Sequence, residues 1–379
     1  MSIYLDLLRF TAAAAVFLGH AGGLIFPAMR HGFLFQQEDN AVAVFFVLSG
    51  FVISHVVWGK ERDFRSYFVA RASRIYSVAI LALVITAVCD RIGAGYNPGY
   101  YGMQKFYHPE TVAAAIRCLT FTNELWFSHS VFGTNEPYWS LGFEVWYYAW
   151  FAAICFLSGK LRVVAAVLWF VLCGPKIGIY LPLWLIGVVA HRHTLRGNQK
   201  LGFVIAVAGI FLSVIVYVCI SAFLSPLTLS MFFIFDLPNL EFASFVNFTL
   251  IGVLVYINIV AFDALAGDKP FWPRAAANGI RWLAGASFTL YLLNQPILMM
   301  ISSLFPAVSR HLLLGLCACS ATFVLILGAA ELGERRKKIF ARFFGKLVGS
   351  GRDQFKPVGV YQTHVSELEV RDDRQREEG

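Results

Sequence analysis

Arg9 and His20 stand eleven residues apart in the apolar stretch that opens the chain. At about 100° per residue this is three turns plus roughly 20°, so on a helix the two side chains share one face, roughly 16 Å apart along the axis. Ionisable residues inside an apolar helix are costly and mark a functional site by default. The imidazole suits a general base near neutral pH. On the alternative reading, Arg9 snorkels to the membrane surface and His20 is an interior histidine held by hydrogen bonds. A carboxylate is available in Tyr138-Trp-Ser-Leu-Gly-Phe-Glu144-Val-Trp-Tyr-Tyr148. Glu144 and His20 each lie about six residues from the outer boundary of their own stretch, hence at similar depth. The expectation is that they pair, with the carboxylate fixing the tautomer of the imidazole and raising its basicity. Otherwise Glu144 balances a buried charge such as Arg9.

Three other groups of residues bear on chemistry. In Phe46-Val-Leu-Ser49-Gly50-Phe51-Val-Ile-Ser54 small residues permit close backbone approach, and hydroxyls can bond across helices. Arg71 and Arg74 fall at i and i+3 on one helix face, where they could clamp a phosphate or simply anchor the helix on the positive side of the membrane. His191 and His193, two apart, face different sides of a helix and no carboxylate accompanies them, so no metal site is expected there. The chain carries no zinc pattern, Gly-rich phosphate loop or Gly-x-Ser-x-Gly elbow.

These residues must be positioned by a membrane domain. Of 379 residues, 58% are hydrophobic and only 14% charged, with a mean hydropathy of +0.65, which excludes an ordinary soluble domain. The apolar content also excludes disorder, and seven cysteines are too sparse for a disulfide scaffold. The cysteines lie mostly in apolar runs and read as small hydrophobes. Runs long enough to cross about 30 Å of hydrocarbon fall near 4–26, 40–59, 74–89, 138–157, 161–175, 177–191, 201–223, 244–262, 281–304 and 311–332. The expected fold class is therefore all-α, a polytopic membrane protein with about ten transmembrane helices. The stretch from Thr111 to Phe127, interrupted by Arg117, Asn123 and Glu124, is expected to form a re-entrant or interfacial helix.

With the N-terminus inside, inner loops hold Lys60, Arg62, Arg65, Arg71, Arg74, Lys160, Arg162, Arg192, Arg196, Lys200, Lys269, Arg274 and Arg281. The outer loops hold only Arg30, Arg91, Lys105, Arg117, Lys176 and Arg310. This excess predicts both termini in the cytoplasm, as does Glu334-Arg-Arg-Lys-Lys338 after the last span. The net charge of +8 therefore calls for no nucleic-acid partner. Residues 333–379 are expected to be a cytoplasmic tail, basic and then mixed in charge, and disordered. The first stretch lacks a basic region before it and contains Asp6 and Arg9, so it is expected to remain as the first helix rather than be cleaved. No internal repeat is visible, which speaks against many secondary-transporter architectures.

The ordered motifs resemble membrane-bound acyltransferase family 3, enzymes that O-acylate bacterial surface and secreted carbohydrates. The resemblance rests on Tyr4-Leu-Asp6-Leu-Leu-Arg9-Phe10, the Arg9 to His20 spacing, Phe45-Phe-Val-Leu-Ser-Gly-Phe-Val-Ile53 and Arg71-x-x-Arg74. Tyr138-Trp-Ser-Leu-Gly-Phe-Glu144 and Ser287-Phe-Thr-Leu-Tyr-Leu-Leu-Asn-Gln-Pro296 complete it. It spans residues 4 to 296, and the helical core to about 332 is similar throughout. The late motif often reads Tyr-Leu-x-His in that family, whereas Asn294 stands here, a residue suited to orienting a substrate by hydrogen bonds rather than to proton transfer. With only a short tail after the last span, no hydrolase-like periplasmic domain of the kind some members carry is expected.

The resemblance implies an O-acyltransferase, with an acyl group, most often acetyl, passing from cytoplasmic acyl-CoA to a carbohydrate across a bacterial inner membrane. It assigns His20, Glu144 and Arg9 to catalysis and Arg71 and Arg74 to acyl-CoA. Ser49, Tyr138, Trp139, Tyr291 and Asn294 become candidates to line the substrate path. It implies no tightly bound cofactor and no metal, only acyl-CoA as co-substrate, with the carbohydrate acceptor and the bilayer as partners. A transporter of a small anion or acylated metabolite is the rival reading, because intramembrane Arg, His and Glu also mark transport paths.

Overall fold

The computed structural model describes residues 1–59, 61, 63–195, 202–221, 242–266 and 272–349. Among them there are helices and no strand. In chain order these are α1 (Ser2–Leu24), α2 (Glu38–Gly59), α3 (Phe64–Tyr96), the short α4 (Pro98–Gly102) and α5 (Val112–Leu119), α6 (Trp139–Phe156) and α7 (Gly159–Leu195). Then follow α8 (Phe203–Cys219), α9 (Phe242–Ala266), α10 (Arg274–Ala284), α11 (Ser287–Leu304), α12 (Leu312–Leu332) and α13 (Lys337–Leu347).

Among the described residues seven helical stretches are long and apolar enough to cross a membrane: α1, α2, α3, α7, residues 245–266 of α9, α11, and the run Leu312–Leu347 that takes in α12 and α13. The stretches expected near 161–175 and 177–191 fall within α7, broken at Gly174 (φ 80, ψ 178). Glycine is required there by its positive φ and because a Cβ would lie 2.6 Å from the Trp126 backbone. The expected run near 201–223 contains α8, of 17 residues, and that near 138–157 coincides with α6, of 18.

Two other expectations change. The helix expected from Thr111 to Phe127 covers only Val112–Leu119, capped by Thr111 Oγ1, which accepts from Ala114 N at 3.0 Å. Beyond it the backbone turns left-handed at Phe121 and Trp126 (φ 55 each), which ends any regular helix. The tail expected to be disordered over 333–379 contains α13. Phe344 in that helix packs against Phe68 and Tyr76 of α3, and Arg65 donates to Gly345 O at 3.1 Å. The amphipathic Lys-Lys-Ile-Phe-Ala-Arg-Phe-Phe run thus finds an apolar surface to cover. Residues from 350 onward lie outside the described ones, as do Lys60, Arg62, Arg196, Lys200 and Lys269.

The centre of the molecule is the crossing of α2 and α7. A Cβ on Gly50 would stand 2.0 Å from Trp184 O, and one on Gly187 would stand 1.9 Å from Val47 O. Glycines on both helices therefore let the backbones touch, and Trp184 Nε1 donates to Ser49 Oγ at 3.2 Å across the contact. On the other flank α11 packs against α1 and α3. Glu334, just past α12, caps α11: both the backbone N and Oγ1 of Thr289 donate to its Oε2 at 3.0 Å. A carboxylate at this position satisfies an otherwise orphaned N–H and complements the helix dipole.

Candidate active site

A narrow pocket of about 50 Å³ lies between α1, α2, α3, α6 and α11. Arg9, Arg71, Arg74, Ser49, Glu144 and Tyr291 line it, together with Phe45, Phe46, Ser140, Tyr148, Ser287 and Phe288. Residues from five sequence-distant segments converge here because each helix turns one stripe inward. On α6 the stripe is Ser140, Glu144 and Tyr148, at i, i+4 and i+8. On α11 it is Ser287 and Tyr291, continued one turn on by Asn294.

Glu144 is fixed from two helices. Its Oε1 accepts from Ser49 Oγ at 2.8 Å and from Tyr148 OH, and Ser49 also donates towards Tyr148 OH at 3.3 Å. Tyr291 OH shares a 2.8 Å hydrogen bond with Ser140 Oγ.

The arginines differ in how they are held. Arg71 Nη2 donates to Glu61 Oε1 at 2.6 Å and its guanidinium lies 5.9 Å from the Tyr148 ring centroid. Arg9 Nη1 stands 3.7 Å from Asp6 Oδ1 one turn earlier. Arg74 makes no hydrogen bond or ion pair within 4 Å among the described residues, although the charges of Glu144, Glu334 and Asp6 act on it. Its donors remain available to an anion, and three guanidinium groups on one pocket suit phosphate better than ammonium groups would.

His20 does not line this pocket. Its Nδ1 pairs with Asn294 Oδ1. The amide orientation is settled by the other end, because Asn294 Nδ2 donates to Leu290 O at 2.7 Å and to Tyr291 O at 2.9 Å. With the NH2 group committed to two carbonyls, Oδ1 must face the imidazole as acceptor, so Nδ1 carries the proton and Nε2 keeps its lone pair. Asn294 thus fixes the tautomer of His20, as Glu144 was expected to do, without bringing a charge to it.

The expected His20–Glu144 pair is not formed. Glu144 sits in the arginine pocket, and the carboxylate whose charge reaches His20 is Glu136. Glu144 lines the pocket that Arg9 lines, whereas His20 meets Asn294 instead, and the start of α6 is enclosed by protein. Thr134 and Asn135 are fully buried and Tyr138 is 1% exposed, covered by the connection from α3. The start of α6 is therefore no marker of the membrane boundary.

Tyr138 and Trp139 are also placed away from the pocket lining. Tyr138 OH donates to Cys118 O at 3.0 Å, and Trp139 packs edge-on against Phe46 and Phe143. Both tie the connection between α3 and α6 to the bundle. His191 forms a structural cluster, bonded to Ser54 Oγ at 2.9 Å and His55 Nδ1 at 3.3 Å.

Outside the helices of the site lies a chain of charges that sequence reading did not single out. Buried Glu124 accepts from Lys176 Nζ and pairs through Oε1 with His129 Nδ1 at 3.0 Å, while His129 Nε2 meets Glu136 Oε1 at 2.9 Å. The hydrogen bonds to Glu124 and then Glu136 push the His129 imidazole up to about 9, against the opposing effect of burial. A histidine with a carboxylate on each nitrogen is an imidazolium, so this chain alternates in sign from Lys176 to Glu136. Tyr148 and Ser140 were also missed, though their four-residue spacing from Glu144 was visible.

Residues 2–331 match the family model described as an acyltransferase domain. Neither the curated proteins nor the solved structures give a match.

Proposed function

Since the chain belongs to acyltransferase family 3, a family of membrane acyltransferases, we propose that it moves an acyl group, most simply acetyl, from cytoplasmic acyl-CoA to a hydroxyl of a cell-surface or lipid-linked carbohydrate. The observation that carries this reading is the pairing of an arginine-lined pocket with a histidine whose Nε2 is left basic. Arg9, Arg71 and Arg74 supply the charge that the phosphates of CoA require, with Arg74 the most available. In the arrangement we propose, ten spans cross a bacterial inner membrane with both termini in the cytoplasm, so the arginines face the donor side.

In direct transfer, His20 Nε2 takes the proton of the acceptor hydroxyl as its oxygen attacks the thioester carbonyl. The C–S bond breaks, the C–O bond forms, and the proton passes to the departing thiolate. Asn294 holds the ring in the tautomer this needs and is a positioning residue. Along α11, the stripe Ser287, Tyr291 and Asn294 joins the arginine pocket to His20 over roughly 10 Å of rise, a span that an extended pantetheine arm can cover.

The test is transfer of labelled acetyl from acetyl-CoA by purified protein to glycans from the producing cell, with mass spectrometry of surface glycans from cells with and without the gene. Accumulation of substrate in vesicles without acyl-CoA would favour a transporter instead.

A further inference from the structure

A second cavity, a groove of about 410 Å³, runs between α1, α2, α8 and α9. Its α1 wall is the stripe Tyr4, Leu8, Thr11, Ala12 and Ala15, on a different side of the helix from Arg9 and His20. Leu34 and Val214 on its lining are 62% and 51% exposed, so the groove opens sideways to the surroundings of the bundle. From Tyr4 to Ala15 it follows α1 for roughly 16 Å, about half the hydrocarbon thickness of a bilayer.

The polar side chains on the lining point to the kind of occupant, because each already makes a hydrogen bond within the protein. Tyr4 OH donates to Asn258 Oδ1, Asn258 Nδ2 donates to Ser213 Oγ at 3.0 Å, and Ser213 Oγ donates to Ile210 O at 2.8 Å. Tyr217 OH donates to Gln37 Oε1 at 2.5 Å, Gln37 Nε2 donates to Phe33 O at 2.7 Å, and Thr11 Oγ1 donates to Leu8 O at 3.0 Å. A polar guest would lose its hydration and gain nothing here, whereas a hydrocarbon chain loses nothing. This is the opposite of the arginine pocket, where donors remain free.

At Gln37 the groove reaches the residue that precedes α2. The next residue, Glu38, packs so closely on α1 that a Cβ on Gly19 would stand 2.3 Å from its Oε2, and Gly19 adjoins His20. Oε2 of Glu38 is buried with no hydrogen-bond partner among the described residues. An unpaired carboxylate oxygen at this place is an acceptor for a hydroxyl.

We infer that this groove holds the hydrocarbon tail of a lipid-linked glycan, so that the sugar emerges at Gln37 and Glu38 and meets His20 over the outer end of α1. The inference rests on the acyltransferase reading and narrows its acceptor to glycans that carry a lipid chain.

The test uses purified protein in nanodiscs with two glycosides of one sugar, methyl and dodecyl, and a dodecyl glycoside bearing a diazirine in its chain. Ala15→Trp and Val214→Trp fill the groove from different helices, and only protein that remains monodisperse is assayed. The ratio of kcat/KM for the dodecyl to the methyl glycoside is expected to fall about tenfold or more in both variants. Photolabelling is expected on α1, α8 or α9, to weaken in both variants, and to resist competition by plain phospholipid. Labelling that the variants do not reduce, or an unchanged ratio, overturns the groove assignment. Labelling that phospholipid abolishes makes the groove a structural lipid site and overturns the acceptor. If neither glycoside is acylated but groove labelling persists, the acyltransferase reading of the site fails and the lipid-tail site stands.

Discussion

The imidazole of His20 is held at Nδ1 by the side-chain oxygen of Asn294, 274 positions later in the chain. Because the Asn294 amide nitrogen is committed to the carbonyls of Leu290 and Tyr291, this one contact fixes both the ring and its tautomer. Replacing His20 by Ala removes the base and is expected to lower acyl transfer about 10²- to 10⁴-fold with unchanged membrane insertion. Near wild-type transfer by well-expressed His20→Ala protein would end the assignment.

Asn294→Leu is expected to reduce kcat by about one to two orders of magnitude, as for other groups that orient a histidine, with the KM for acyl-CoA unchanged. Asn294→Asp places a carboxylate on Nδ1, which favours the imidazolium, so the acid limb of the pH–rate profile should move to higher pH. A purely architectural role for Asn294 would change the yield of folded protein and leave that limb where it is.

Glu144 and His20 occupy separate hydrogen-bonded groups, so their defects should be independent. The rate loss in His20→Ala/Glu144→Gln is expected to approach the product of the two single losses. A double variant no worse than the worse single would mean that they act as one unit after all.

The difference between Arg71 and Arg74 should be measurable. Arg74 has its donors free, while Arg71 is tied to Glu61. Arg74→Ala is expected to raise the KM for acyl-CoA about 10- to 100-fold, the range for a lost charge-assisted hydrogen bond. Lys should rescue it only in part, lacking the planar fork. Equal and small effects at both positions would reduce the pair to membrane anchors.

The charge chain from Lys176 to Glu136 predicts a stability change in alkaline solution. In the folded protein His129 binds its proton up to about pH 9, above the ordinary 6.5. Its contribution is therefore fully present below pH 6.5 and is lost as the pH rises through 9. Thermal unfolding between pH 7 and 10 should show wild-type protein losing an advantage over His129→Gln of about 1–3 kcal/mol. Parallel curves for the two proteins would show that the imidazolium contributes nothing to anchoring the connection between α3 and α6.

What the sequence determined by itself is local and periodic. The apolar runs announce membrane helices because hydrocarbon demands about 20 apolar residues to a span. The eleven-residue spacing of Arg9 and His20 sets their shared face through helix geometry alone. Ser49-Gly50 signals close packing, and that packing is found at Gly50 against Trp184 O. Depth and partnership were decided only by the tertiary structure. The start of α6 lies buried under the connection from α3, so residues counted from it do not measure distance from the membrane surface, and Glu144 falls among arginines instead of beside the histidine. Which group meets Nδ1 of His20 depends on how α1 and α11 rotate against each other as they pack. The lining of the lateral groove is likewise completed only once α1, α2, α8 and α9 are assembled: Thr11, Ser213 and Gln37 bond to carbonyls three or four residues back, but the Tyr4–Asn258, Asn258–Ser213 and Tyr217–Gln37 bonds join residues 45 to 254 positions apart.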